Sequence, residues 1–155
     1  MIWTPRVTVA AVIEREGRFL IVEERNDERI VLNQPAGHLE AGEDLPGAVR
    51  REALEETGWH FDPESVVGIY LYRSAHPART YLRVCFCGRI TGHDAGRALD
   101  PDIVRVTWLS RAELSAREGE LRSPMVLRAI DDYLGGARYP LALISTVRDA
   151  RADRL

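Results

Sequence analysis

The chain has 155 residues, 45% hydrophobic and 29% charged, with a net charge of -3 and a pI near 5.8. That is enough length and apolar content for one ordinary folded domain, and it argues against disorder. It also excludes a strongly basic nucleic-acid binder, and no apolar stretch is long enough to span a bilayer.

The opening residues Met1–Arg6 carry no basic and apolar regions of the kind that direct secretion, so a cytoplasmic protein is expected. Val7–Ile13 is an apolar, β-branched run. Glu14–Arg18 follows, with Gly17 suited to a turn, and Phe19–Val22 completes a hairpin. Ile30–Leu32 reads as a short strand leading into the loop Asn33-Gln34-Pro35-Ala36-Gly37. Asp44 is placed to cap a helix that runs to about Thr57, with Pro46 tolerated in its first turn and Gly58 ending it. Val66–Tyr72 and Thr80–Ile90 are two further strands, Gly92–Pro101 is a polar loop, and Val104–Leu109 is a last strand. Ser110 and Glu113 form a capping-box pattern for a short helix. Ser123 and Pro124 open a third helix, closed by Gly135-Gly136. The charged tail after Thr146 is expected to fray. Cys85 and Cys87, two apart in a strand, read as reduced core residues on one face; two thiols alone fall short of the four ligands zinc needs. Strands on both sides of a central helix predict an α+β fold, a mixed sheet covered by helices.

The first helix carries the chemistry. Glu52, Glu55 and Glu56 are spaced i, i+3 and i+4 and share one face. With Glu52 at zero on the helical wheel, Glu56 falls at about +40° and Glu55 at about -60°. Leu45, Ala48 and Val49 occupy the same arc, while Arg50, Arg51 and Leu54 lie across the helix. A solvated acidic face would put these carboxylates opposite the apolar residues, and they are not there. Carboxylates turned inward are costly unless a cation offsets them. An all-oxygen ligand set without cysteine or histidine favours magnesium, manganese or calcium.

Gly37, Glu43, Arg51, Glu52, Glu55, Glu56 and Gly58 stand at the spacing of the Nudix box, here residues 37–59, and all seven fixed identities match. Ala53 and Trp59 depart mildly from its two aliphatic positions. The whole chain, residues 1–155, therefore resembles a single domain of the Nudix hydrolase family. Val7–Ala10, Asn33–Glu40, Leu121–Pro124 and Arg138–Leu141 are further similar to the family's NudJ-type phosphatases. The resemblance implies an α/β/α sandwich with a central mixed sheet. It implies hydrolysis of phosphoanhydride bonds in nucleoside tri- and diphosphates and in small organic diphosphates such as hydroxymethylpyrimidine diphosphate, with orthophosphate released. The cofactor expected is Mg2+, with Mn2+ as a possible substitute. The partners expected are a small phosphorylated substrate, no nucleic-acid polymer and no membrane, in a monomer or weak homodimer.

By position, the resemblance makes Glu52, Glu55, Glu56 and the backbone carbonyl of Ala36 the metal ligands, with Glu52 the first choice for base. Arg51 would pair with Glu43 and lock the loop to the helix; a plain surface pair with Glu55 is the alternative. Gly37 and Gly42 would let the loop turn. Asp102, six residues before Trp108, is the candidate for a further acid that holds metal or activates water, with Asp100 its competitor and an ordinary turn acid the plainer reading. Arg83 shares a strand face with Tyr81, Cys85 and Cys87, and its partner is either substrate phosphate or a core carboxylate. Arg25 is a weaker candidate for the same task. Glu40 is either a ligand or solvated, and His38 and His76 read as bystanders. Two other functions remain open at this point: a pyrophosphohydrolase of dinucleoside polyphosphates or ADP-ribose, and a non-catalytic nucleotide-binding module, which the intact box disfavours.

Overall fold

The computed structural model describes residues 2–150. Nine strands form in chain order: β1 (Arg6–Val12), β2 (Glu14–Arg15), β3 (Arg18–Asn26), β4 (Arg29–Asn33), β5 (Ala36–His38), β6 (Trp59–Ser74), β7 (Arg79–His93), β8 (Ile103–Ser110) and β9 (Tyr139–Pro140). Three α-helices accompany them: α1 (Leu45–Thr57), α2 (Arg111–Ala116) and α3 (Met125–Leu134). One sheet has the order β5-β1-β7-β6-β9. The β1–β7 pair is parallel and the other pairs antiparallel, so this sheet is mixed as expected. In the second, antiparallel sheet, β3 pairs with β2, β4 and β8. Backbone hydrogen bonds from Ala11 to Pro35 and from Leu20 to Ile13 tie the two together.

The layers follow from the two-residue period of a strand. Along β1, Val9, Ala11 and Ile13 pack with Ala48, Val49 and Ala53 of α1. Ala10 and Val12 point the other way and pack with Leu114 of α2 and with Ala129 and Ile130 of α3. Strands buried on both faces read as continuous apolar runs, and the sheets form the middle of an α/β/α sandwich.

Helix α1 starts and stops where its caps dictate. Asp44 accepts a hydrogen bond from the Gly47 amide at 2.7 Å, and Gly58 closes the helix in the left-handed conformation at φ 74°. The Ser110–Glu113 capping box is present in both directions. Helix α3 begins at Met125 rather than at Pro124; Ser123 Oγ still accepts from the Met125 amide at 3.2 Å.

Strands β6 and β7 run well past the bounds read from the sequence and absorb part of the polar loop expected at Gly92–Pro101. Strand β6 runs through register shifts at His60/Phe61, Pro63/Ser65 and Val66/Gly68, the bulges where proline is tolerated inside a sheet. Gly88 faces Pro63, and a Cβ there would overlap the backbone carbonyl of Asp62. The expected loop at Ala36-Gly37 is the short strand β5, paired with β1. Past Ile144 the described chain has no regular structure, and Arg148 donates to the Gly42 carbonyl at 3.3 Å. The rest of the expected frayed tail, residues 151–155, lies outside the described residues. No described helix is long and apolar enough to cross a membrane.

Candidate active site

The inward face of α1 is acidic in three dimensions as well as on the wheel. Glu52 and Glu56 are buried among Ala48, Val49 and Ala53, while Glu55 sits at the edge with a third of its side chain exposed. The Ala36 amide donates to Glu56 Oε2 at 3.0 Å, so β5 holds that carboxylate in place. Beside it, Gly37 leaves the room Glu52 needs: a Cβ at Gly37 would run into the Glu52 carboxylate. The sequence reading made Gly37 a turn glycine. Its backbone is extended and paired with Val9, and it is the lack of a side chain that counts; the turn belongs to Gly42, at φ 82°.

Carboxylate oxygens of Glu52, Glu55 and Asp100 lie within 4.8 Å of one another. Asp100 arrives from the loop before β8, held by its amide to the Glu55 carbonyl at 3.0 Å. The acid that joins the cluster is thus the one weighed second. Asp102 lines the same cleft, and its backbone carbonyl accepts from the Arg25 amide at 2.8 Å. Arg25 also donates to the Pro101 carbonyl at 3.1 Å, so it secures this loop to β3 from within the cleft wall.

Arg51 does not stay on the far side of the helix. Its guanidinium bends back and grips Glu43 through Nε at 2.5 Å and Nη2 at 3.0 Å. It donates to the His38 carbonyl at 3.0 Å, and Nη1 reaches Glu52 at 2.8 Å and Glu55 at 3.1 Å. Both partners considered for Arg51 are therefore engaged at once. The planar fork makes this possible, since five N–H donors leave in fixed directions. It ties the loop to the helix and supplies one positive charge to the cluster.

That single charge is insufficient. Burial pushes the Glu56 pKa well above the carboxylate range, and Glu24, Glu52 and Asp100 add to the rise. Burial also raises Glu52, against the lowering pull of Arg51, and raises Asp100, with Glu55 adding to it. Crowded acids with raised pKa values, all oxygen donors, fit a hard divalent cation.

Across the cleft stands Arg83, 6% exposed, with Nη1 only 3.4 Å from Asn33 Oδ1 and Nε without any partner. No core carboxylate pairs with it. Tyr81 lies two residues away on the same face and stacks on Tyr72 with ring centroids 6.3 Å apart. These residues line one cleft of about 890 Å³ with Glu52, Glu56 and Asp100. His38 is also in its wall. Its pKa is lowered by burial and by the surrounding Arg6, Arg122, Arg79 and Arg83.

Two cleft residues escaped the sequence reading. Glu24, on β3, is nearly buried, accepts from Asn33 Nδ2 at 3.2 Å and pairs with Arg122 at 3.3 Å. A strand read two residues beyond Val22 would have put Glu24 on the same side as Leu20 and Val22. Arg122 sits in the Leu121–Pro124 stretch and was assigned no role; its amide donates to the Leu32 carbonyl at 2.8 Å, which brings it to β4.

A family model for the NUDIX domain matches residues 4–129. The chain belongs to the Nudix family and is a hydrolase of phosphorus-containing acid anhydrides. It is 40% identical over 141 residues to the protein named Phosphatase NudJ in Escherichia coli K12 and in Shigella boydii, covering 90% of each chain. Among solved structures, a NUDIX hydrolase from Nitrosomonas europaea superposes with a TM-score of 0.91 at 47% identity, over 93% of this chain and 98% of the other. A MutT protein from Methanosarcina mazei at 22% identity and TM-score 0.69 shares the fold.

Proposed function

We propose that this enzyme removes orthophosphate from nucleoside tri- and diphosphates and from small organic diphosphates such as hydroxymethylpyrimidine diphosphate, with Mg2+ as cofactor and Mn2+ able to replace it. The observation that carries this reading is one cleft with inward, mutually crowding carboxylates on one wall and, on the other, the buried Arg83, whose Nε has no partner and whose Nη1 makes one long hydrogen bond to Asn33. The first wall demands cations and the second demands an anion, and a diphosphate with its metal satisfies both. The choice of phosphatase over pyrophosphohydrolase rests on the 40% identity to Phosphatase NudJ along nine-tenths of both chains. Similar folds that act on ADP-ribose or UDP-linked substrates are under 20% identical, so they bear on the fold alone.

In this reading Glu52, Glu55, Glu56, Asp100 and the Ala36 carbonyl are the groups that would hold metal. Bound there, a divalent cation would supply charge to neutralise the diphosphate oxygens and to make a nearby water more acidic. Glu52 takes the proton from the attacking water. Arg51 keeps the Glu52 carboxylate oriented and Gly37 keeps its place open. Arg83 binds the substrate phosphate through its free N–H groups, Tyr81 lies beside the organic part, and Arg25 holds the Asp100–Asp102 loop against the cleft. Asp102 assists from that loop. A cytoplasmic location fits the two free, buried cysteines, Cys85 and Cys87.

The test is a magnesium assay with GTP, read at an early time point by anion-exchange chromatography. GDP should appear first and GMP later, with orthophosphate at each step. Pyrophosphate with GDP absent would keep the family and overturn the phosphatase reading.

A further inference from the structure

Beyond the cleft lies a second cavity of about 350 Å³, at the turn end of the β6–β7 hairpin where β1 begins. Arg6, Arg73 and Arg79 line it with the hydroxyls of Thr4, Ser74 and Thr80, and Trp3, 68% exposed, stands at its rim. No carboxylate lines it.

The arginines of this protein are otherwise well partnered. Arg18, Arg50, Arg51, Arg89, Arg105, Arg111, Arg117, Arg122 and Arg128 pair with carboxylates. Arg25, Arg29, Arg138 and Arg148 donate to backbone carbonyls, Arg83 to Asn33, and Arg15 stacks on two tryptophans. Among the described residues, only Arg6, Arg73, Arg79 and Arg97 have side chains without a hydrogen bond, ion pair or ring contact. Three of those four line this cavity, all of them exposed, with Arg6 and Arg79 on one face of the sheet and Arg73, paired with Thr80, on the other. In a protein of net charge -3, guanidinium groups with no carboxylate beside them leave their N–H donors open to an anion. Their planar forks, with hydroxyls between, match the oxygens of a phosphate.

The cavity adjoins the catalytic cleft, since Arg79 and Ser74 line both. We infer that it is a subsite for a second phosphate group, carried by the organic part of the substrate away from the bond that is cut. This deepens the reading of the cleft above and rests on it. The favoured substrates are then organic diphosphates bearing a further phosphomonoester.

The experiment compares ADP with adenosine 3′-phosphate 5′-diphosphate, using the full chain and magnesium. The 3′-phosphate should raise kcat/KM by about tenfold, the worth of one charge-assisted hydrogen bond. Arg73→Ala and Arg6→Ala should each bring that ratio towards one and leave kcat/KM for ADP as it was. Arg97→Ala removes the same charge outside the cavity and should leave the ratio intact. A ratio of one in the parent enzyme overturns the inference, and so does an equal loss in Arg97→Ala, which would mean general attraction without a site. Inorganic phosphate could occupy the same groups. A melting-temperature rise with inorganic phosphate that Arg73→Ala abolishes, combined with a ratio of one, would make this a free-phosphate site and overturn the substrate assignment. If ADP is not hydrolysed at all, the proposed activity falls and the subsite is judged by binding. Adenosine 3′,5′-bisphosphate should then still bind more tightly than AMP, and Arg73→Ala should erase the difference; equal binding would overturn it.

Discussion

Helices α1 and α3 pack on opposite faces of the same sheet layer, and their buried positions follow the same rhythm. In α3 the buried residues are Met125, Val126, Ala129 and Ile130. In α1 they are Ala48, Val49, Glu52, Ala53, Glu56 and Thr57. Both sets step i, i+1, i+4, i+5, the period of a helix with one face in a core. Only the chemistry differs. Where α3 puts methionine and alanine, α1 puts two carboxylates whose burial raises their pKa values. Periodicity reports which face is buried. The residue type on that face reports whether the burial serves packing or a site.

The comparison breaks most visibly at Ile130, fully buried on α3. Ile130→Ala should cost roughly 2–5 kcal/mol of stability, read from denaturant unfolding, with kcat unchanged while the protein is folded. A large fall in kcat in that variant would make α3 part of the site.

On α1 the pattern should invert. Glu56→Gln should lower kcat by at least about a hundredfold, because an amide is a poor ligand for a hard cation. The same change should stabilise the metal-free protein. Glu56 has a folded pKa above its unfolded value near 4.5. Below pH 4.5 both states hold the proton and Glu56 adds no difference. As pH rises past it, the unfolded state ionises first, so the wild type loses stability until the folded pKa is passed. The melting-temperature gain of Glu56→Gln in chelator should therefore be near zero at about pH 4 and grow as the pH rises above 4.5. A gain independent of pH would mean that packing, not charge, is responsible.

Gly37→Ala sharpens the contrast from outside the helix. The added methyl displaces the Glu52 carboxylate, the mobile end of a side chain, and leaves backbone where it is. A loss of roughly tenfold to a hundredfold in kcat is expected, with little change in melting temperature. A cooperative loss of stability with normal turnover would show that the glycine serves β5.

The smallest change is expected at Arg83, which faces the acids across the cleft. Arg83→Ala should raise KM by about tenfold and alter kcat less, as for a lost charged hydrogen bond to substrate. Stability should hold or improve, since the guanidinium is buried with Nε unpartnered. A collapse in melting temperature with KM unchanged would assign it to the core.

What the sequence determined by itself was local. The span of α1 between Asp44 and Gly58, the inward turn of Glu52 and Glu56 and the Ser110–Glu113 box follow from caps and helical period, which act between residues close in the chain; the Arg51–Glu43 pair was implied by the Nudix spacing. The run of Val7–Ile13 likewise announced a strand. Other features waited for the tertiary structure. Asp100 joins Glu52 and Glu55 because one backbone hydrogen bond sets the path of its loop. Glu24 meets Arg122 across 98 residues, Gly37 makes room for a carboxylate fifteen positions on, and three arginines from β1, β6 and β7 line one cavity. Strand register and loop course decide these meetings, and a change of one residue in register moves every side chain to the opposite face. That geometry arises from the packing of the whole chain, so no local pattern carries it.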